Sequence, residues 1–254
     1  MEFHRKGNFG EELSGMTEFI KVISDLNQSY IDELYDGSTQ VLIVKNASKE
    51  DIHQFGELEM QDLYLKTEVP IGHNIDNDHV MQEYDMRWHS DRAYDQVPHT
   101  FVGLYCEHAN KGSSPTYFHD NISGWKSIPD DLKQKIKDEG PVFHSIKTYF
   151  ERAEYPHDFR SKAYERHFKM HAKGWHELYK NDKFGEYLFF SEGYANTKYL
   201  DEIKNNFYLE DNIHIHNWQP GDLVCWNNYT VSHKRDHTPP EVKRTLYRYA
   251  FHAV

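Results

Sequence analysis

Six short stretches between residues 100 and 253 constrain the fold more than any other feature: TFVGLYCEH, PVFHSIKTYF, EYLFFSEG, NIHIHNW, GDLVCWNN and TLYRYAFHA. Each is rich in β-branched and aromatic residues and reads as a short strand. Turn signals separate most of them, as at Gly112-Ser113-Ser114-Pro115 and Gln219-Pro220-Gly221-Asp222. The segment 157–172 (HDFRSKAYERHFKMHA) reads as a helix that interrupts the series. Short strands after an early helical part predict a β-sandwich or barrel dressed with helices.

The early part supplies the helices. Phe19, Ile23, Leu26, Tyr30 and Leu34 recur at steps of three and four, which predicts one helix face. Thr17 is placed to cap its start, and Asp36-Gly37 to end it. TQVLIVK (39–45) reads as a short buried strand, and Ser48 opens a second helix with Asp51 completing a weaker capping box. Ser127-Ile128-Pro129-Asp130 opens a third, with Leu132 and Ile136 inward. No repeat or low-complexity linker divides residues 1–254, which predicts a single domain.

Composition narrows the function. A net charge of −12 on 254 residues leaves no electrostatic footprint for a nucleic acid. Cys106 and Cys225 are far apart and form no metal or redox motif, which fits a reducing compartment. The start MEFHRKGNFGEEL lacks the apolar core of a signal peptide, and the longest aliphatic run, Val41 to Val44, is too short to cross a membrane. The expectation is a cytoplasmic protein with a small-molecule substrate, no nucleic-acid or membrane partner, and a homo-oligomer left open.

RWHSDRAY (87–94) places His89 and Asp91 two positions apart. On a strand edge that spacing sends both side chains to one face. A mononuclear non-haem iron site needs two imidazoles and one carboxylate on one face of the metal, with the opposite positions open. The candidates for the distant histidine are His214, His216, His233 and His237. His233 stands out because it follows WQPGDLVCWNN and precedes Arg244 and Arg248, which face the same way on an extended strand. A buried guanidinium can grip a carboxylate in a bidentate fork.

With these residues together, the chain resembles the taurine/alkylsulfonate dioxygenase (TauD/TfdA-like) family of Fe(II)- and 2-oxoglutarate-dependent oxygenases. FGEELSGM is similar to the family's opening strand, and YIDELYDGSTQVLIVKNASKEDIHQFGEL to its helix, strand and following helix. WHSD matches its metal dyad and GSSPTYF its turn toward a co-substrate-binding threonine. YLFFSEGY and WQPGDLVCWNN, followed by His233, Arg244 and Arg248 at family spacing, complete the series.

The resemblance implies a mainly β fold with α, a double-stranded β-helix (jelly roll) core with flanking helices. It implies that His89, Asp91 and His233 bind iron, and that Thr116 and Arg244 hold the C5 carboxylate of 2-oxoglutarate. Arg248 would face the C1 carboxylate or an anionic group of the substrate, and Trp226 would line the iron pocket. O2 is the second co-substrate. Taurine-using members hold the sulfonate with a histidine where this chain has Glu59, Met60 and Gln61, and with an asparagine where it has Asp85. Taurine is therefore not the expected substrate. The family's helix between the SEGY-like strand and the QPGD turn finds little room in ANTKYLDEIKNNFYLEDNIHIHN.

His214 and His216 alternate around Ile215 and are expected to point away from the core. Arg87 and Arg92 are expected in structural ion pairs, and the segment around 150–175 as a solvated helix face or a lid. No nucleophile-elbow, dinucleotide or Walker motif is present. The expected reaction is oxidation, by default hydroxylation, of a C–H bond in a small polar anionic metabolite such as an amino acid derivative, with Asp85 as an amine contact, releasing succinate and CO2. Desaturation, cyclisation or bond cleavage on a larger metabolite, and a non-catalytic metal-binding module, are the alternatives.

Overall fold

The computed structural model describes residues 18–51, 69–71, 85–94, 98–145, 148, 180–182, 185–237 and 242–251. In chain order its elements are β1 (Glu18–Ile23), α1 (Gln28–Asp36), β2 (Thr39–Val44), β3 (Val69–Ile71), β4 (Met86–His89), β5 (Phe101–Ala109) and β6 (Thr116–Asp120). There follow α2 (Asn121–Ser127), α3 (Asp130–Glu139), β7 (Lys180–Asp182), β8 (Gly185–Tyr187) and α4 (Leu200–Phe207). A 3-10 turn (Glu210–Asn212) leads to β9 (Ile213–His216), β10 (Leu223–Asn227), β11 (Val231–Arg235) and β12 (Arg244–Phe251).

Strand alternation builds the layers. The larger sheet has the order β1-β2-β10-β5-β12-β3 and the smaller β4-β11-β6-β9, while β7 and β8 pair separately. Val41, Ile43, Val102, Val224, Trp226 and Leu246 of the larger sheet meet Phe118 and Val231 of the smaller one in a single buried cluster. Their interleaved neighbours Leu42, Val44, Phe101, Leu223 and Cys225 turn the opposite way, onto Ile31 and Leu34 of α1. β2 is thus covered on both faces, which is why it reads as an unbroken apolar run. Trp125, Leu132, Ile136 and Phe207, from α2, α3 and α4, form a further cluster with Leu188 and Phe190. His119 of β6 and Trp88 of β4 reach it by ring contacts with Phe207 and Tyr208. Cys106 and Cys225 are free and belong to clusters on opposite faces of the larger sheet.

Several expectations are met. The Gly37 cap is left-handed with φ 82°, as the Asp36-Gly37 stop requires. α3 starts at Asp130 and buries Leu132 and Ile136. The side chain of Asp51 accepts from the Ser48 N–H at 2.5 Å, one half of the capping box, although the helix beyond Asp51 lies outside the described residues, as does 157–172.

Others are corrected. The single early helix is a strand followed by a helix: Glu18–Ile23 pairs in parallel with β2, Ile20 opposite Val41 and Val22 opposite Ile43. The helix begins only at Gln28, where the Asn27 side chain accepts from the Ser29 N–H. Parallel pairing needs a crossover, which α1 supplies; this long-range partner outweighs the local period. Of PVFHSIKTYF, the described residues contribute only an isolated bridge from His144 to Ala195. EYLFFSEG is a strand only to Tyr187; Leu188, Phe189 and Phe190 are buried without regular pairing, since a continuous apolar run marks burial rather than a ladder. The segment before the QPGD turn does hold a helix, α4, of eight residues.

Gly124 marks where α2 sits closest to the smaller sheet. A Cβ there would lie 2.5 Å from His119 Cε1 and 2.8 Å from Phe207 Cδ2. His119 cannot retreat freely, because its Nε2 is 2.7 Å from the Phe207 carbonyl and its Nδ1 3.0 Å from Asn121 Oδ1. Gly124→Ala gains about 1 kcal/mol of helix propensity but overpacks a closed contact worth roughly 1–3 kcal/mol. Denaturant unfolding should show a lower midpoint; an unchanged or raised midpoint would show that the contact yields.

Candidate metal centre

The site begins with one register. β11 pairs with β4 so that His233 lies opposite His89, and with β6 so that it also lies opposite Phe118. The two imidazole centroids are 4.2 Å apart. Asp91 is not on the strand: it follows β4 in a turn where Arg92 takes φ 55°, a left-handed value uncommon for a side-chain-bearing residue. That turn carries the carboxylate back over the strand end. Asp91 Oδ1 is then 3.5 Å from His89 Nε2 and 3.6 Å from His233 Nε2.

These three residues are the only group of potential metal ligands among the described residues, with ligand atoms all within 4.8 Å of one another. Neighbouring ligands about 2.1 Å from a metal stand roughly 3 Å apart, so a bound ion would draw the Asp91 oxygen and each imidazole nitrogen together from 3.5 and 3.6 Å. His89 Nδ1 is 2.7 Å from the Arg87 carbonyl, which can only accept. The proton therefore sits on Nδ1, and Nε2 is left bare, buried and without a hydrogen-bond partner. A buried, unpartnered imidazole lone pair aimed at a carboxylate fits a cation between them.

The charges agree. Burial pushes the Asp91 carboxyl up, but Arg248, then His89 and His233, outweigh it and hold it well below the usual carboxylate range. Burial, then the neighbouring His89, pushes His233 down to about 3 against the opposing pull of Asp91. One anionic oxygen donor and a neutral imidazole are the forms that bind metal. Trp226 packs on His233 at 4.8 Å between centroids and edge-on to Phe118 at 5.1 Å, closing the apolar side.

Residues to which sequence reasoning gave no role fix this geometry, although Asn228 falls at the family spacing. The Asn228 side chain accepts from the Asp91 N–H at 2.8 Å and donates to the Asp91 and His99 carbonyls, each at 2.9 Å. Ser191 Oγ accepts from the Ser90 N–H at 2.8 Å. Both fall within motifs noted for other reasons, but nothing in their spacing tells which backbone they clamp.

Arg248 and Arg244 share a face of β12, as their spacing predicts. Arg248 Nε donates to Asp91 Oδ2 at 2.6 Å. Arg244 is buried, its terminal nitrogen donates to the Ser114 carbonyl at 2.6 Å, and its Nε has no partner. Burial, and next the Arg235 guanidinium, push it down to about 9. Among the described residues no carboxylate pairs with it. Ser114 leads into Thr116, whose Oγ1 accepts from the Trp218 indole N–H at 2.9 Å. That bond uses an oxygen lone pair and leaves the hydroxyl proton to donate elsewhere. A buried cation with an unused donor and a hydroxyl with an uncommitted proton suit the far carboxylate of a dicarboxylic acid.

His216 corrects another expectation. Ile215 is 51% exposed while His216 is 4% exposed, so it is the histidine that turns inward. It stands opposite Thr116 in the β6–β9 pair and 3.1 Å from the buried Asp222 carboxylate, which also pairs with Lys45 at 2.8 Å. A buried partner makes an inward histidine stable where a hydropathy pattern predicts isoleucine. Arg87 forms the expected ion pair, with Glu192 at 3.6 Å. His237 is exposed and outside the ligand group. Asp85 lines a different groove of about 300 Å³, with Trp88, Glu192, Lys204, Tyr208 and Lys234.

The model of the family described as "Taurine catabolism dioxygenase TauD, TfdA family" matches residues 21–250. Among solved structures, a candidate alpha-ketoglutarate dependent 2,4-D dioxygenase from Burkholderia xenovorans is similar at TM-score 0.70 and 19% identity, over 92% of this chain and 93% of that one. AAD-2 in complex with Mn(II) and N-oxalylglycine is similar at TM-score 0.70 and 17% identity, over 94% and 96%. A taurine dioxygenase from Burkholderia xenovorans is similar at TM-score 0.62 and 12% identity, over 94% and 88%. Identities this low speak to fold.

Proposed function

The chain belongs to the TauD, TfdA family of 2-oxoglutarate-dependent dioxygenases, which use Fe(II), 2-oxoglutarate and O2, and from that premise we propose that it oxidises a C–H bond of a small polar anion, by default through hydroxylation. The observation that carries the reading is the bare, buried Nε2 of His89 facing Asp91 and His233. These three residues are the proposed iron ligands. The two facing sheets are read as a double-stranded β-helix, and the chain as one domain. Among the described residues no helix is long and apolar enough to cross a membrane.

Iron, when bound, activates O2 at the positions that three protein ligands leave open. The protein's own residues do the rest. The His89 Nδ1–H bond to Arg87 keeps the ligand tautomer fixed, and the Asn228 clamp holds Asp91 in its turn. Trp226 and Phe118 exclude water from the His233 side. Thr116 and Arg244 hold the distal carboxylate of 2-oxoglutarate, with Trp218 fixing the direction of the Thr116 hydroxyl. Arg248 spends its Nε on Asp91, and its terminal nitrogens face an anionic group, either the C1 carboxylate or the substrate.

The substrate class rests on that fork and on the company the chain keeps. Taurine and 2,4-D, named for the similar structures, are both small molecules that carry one anionic group. Asp85 lies in its separate groove, so the amine contact first assigned to it carries less than the arginine. Anaerobic addition of 2-oxoglutarate to the Fe(II)-loaded protein should develop a metal-to-ligand charge-transfer absorption. Succinate release, followed across sulfonates, phosphonates, amino acids and aryl ethers, should respond to a small anion. Absence of the absorption would defeat the iron assignment, and a response confined to bulky uncharged compounds would defeat the substrate class.

A further inference from the structure

We propose that Glu192 is a positioning residue for the proposed iron ligand His89, acting through Arg87 and anchored from α4 by Lys204. The proposal rests on the iron reading above and gives a role to the motif Ser191-Glu192-Gly193-Tyr194.

His89 is not held by its sheet alone. Among the described residues β4 is an edge strand, laddered to β11 on one side only. Even that ladder is irregular just before the ligand. From His233 to Arg235 β11 advances two residues, while β4 advances three, from His89 to Met86. Arg87 and Trp88 thus stand together against Lys234, the arrangement of a β-bulge, in which one residue drops out of the pairing. At this irregular step the Arg87 carbonyl accepts from His89 Nδ1 at 2.7 Å. The contact that fixes the ligand tautomer therefore depends on backbone that the ladder holds poorly.

The open edge is braced instead by residues 191–194. They close as a turn, the Tyr194 N–H donating to the Ser191 carbonyl at 2.9 Å. Each touches one of the four residues from Arg87 to Ser90. Ser191 Oγ accepts from the Ser90 N–H at 2.8 Å, and the Gly193 N–H donates to the Trp88 carbonyl at 3.4 Å. The Tyr194 ring meets the His89 imidazole edge-on, 6.1 Å between centroids. Glu192 takes Arg87, its carboxylate oxygen 3.6 Å from the guanidinium. The same oxygen lies 2.8 Å from Lys204 Nζ. Glu192 is only 7% exposed, and a carboxylate so buried persists where cations meet it. One of these cations comes from the metal-bearing strand and the other from a helix. Ion pairs with half-exposed cations add little stability. Here the pair acts by direction: it tethers Arg87 within the bulge, and with it the carbonyl that orients His89.

The test uses the full chain with Co(II) as a spectroscopic probe, so that no turnover is needed. Affinity by calorimetry and the visible bands at saturation are measured for the wild type, Glu192→Gln, Lys204→Met and the double variant. Glu192→Gln keeps the side chain's shape. It should weaken Co(II) by about tenfold, the lower end of what losing a ligand's orienting partner costs, and should shift the bands of the fully loaded protein. Lys204→Met should do the same by a smaller factor. The double variant should bind no more weakly than Glu192→Gln, because both changes act through one carboxylate; additive losses would overturn the anchoring from α4. Unchanged affinity in Glu192→Gln overturns the proposal. So does weaker binding with unmoved bands at saturation, which would assign Glu192 to stability alone. If Glu192→Gln does not fold, Lys204→Met decides, and unchanged affinity or unmoved bands there overturn it. Failure of the wild type to bind Co(II), or binding that survives His89→Ala, would instead strike the iron reading, and this one with it.

Discussion

His233→Ala is expected to abolish retention of Fe(II) and, with it, turnover. Losing a group that merely orients a ligand costs about ten- to hundredfold in metal affinity; losing the ligand itself should exceed that. The apo protein should be far less affected. His233 packs between Trp226 and His89, and its removal leaves a small cavity but also relieves two buried imidazoles held 4.2 Å apart. Thermal unfolding separates these effects. Fe(II) should raise the Tm of the wild type in a concentration-dependent way, because it binds only the folded state, and should leave His233→Ala where it was. A variant that still shows the full metal-induced rise would remove His233 from the ligand set.

The second large effect is expected at Arg244, and it has opposite signs on binding and on stability. Arg244→Met removes the buried cation while keeping much of its volume. Binding of 2-oxoglutarate should weaken by some thirtyfold or more, since truncating a buried charge partner costs about 2–5 kcal/mol. Stability without ligand should change by no more than about 2 kcal/mol in either direction. The loss of the bond to the Ser114 carbonyl is offset by relief of a desolvated charge that no carboxylate among the described residues neutralises. A cation kept in so costly a position serves a ligand rather than the fold. Calorimetry and denaturant unfolding on the same sample check both halves. A large loss of stability with intact binding would show that Arg244 is a structural residue.

What the sequence made legible follows from how local each signal is. The His89–Asp91 dyad, His233 and the Arg244–Arg248 spacing carry fixed intervals, and the fold brings the first three into one ligand group as those intervals predict. The cap at Gly37 and the buried face of α3 are likewise decided within a few residues. The failures all involve a distant partner. Glu18–Ile23 is a strand because β2 lies beside it, and Leu188 and Phe190 are buried because helices cover them. His216 turns inward because Asp222 waits there. Asn228 is visible as a residue but not as a clamp, since its three backbone partners lie more than a hundred residues upstream in the chain. Periodicity reports which face is covered; it does not report by what.

The bond from Arg248 to Asp91 has a consequence for denticity. One carboxylate oxygen is already engaged by a guanidinium, so only the other is free to face a cation. Iron, if bound, would be held by His89, His233 and Oδ1 of Asp91 while the guanidinium keeps Oδ2 to itself, so the carboxylate would lend the ion one point of attachment and leave more of its surroundings to the keto acid and to oxygen.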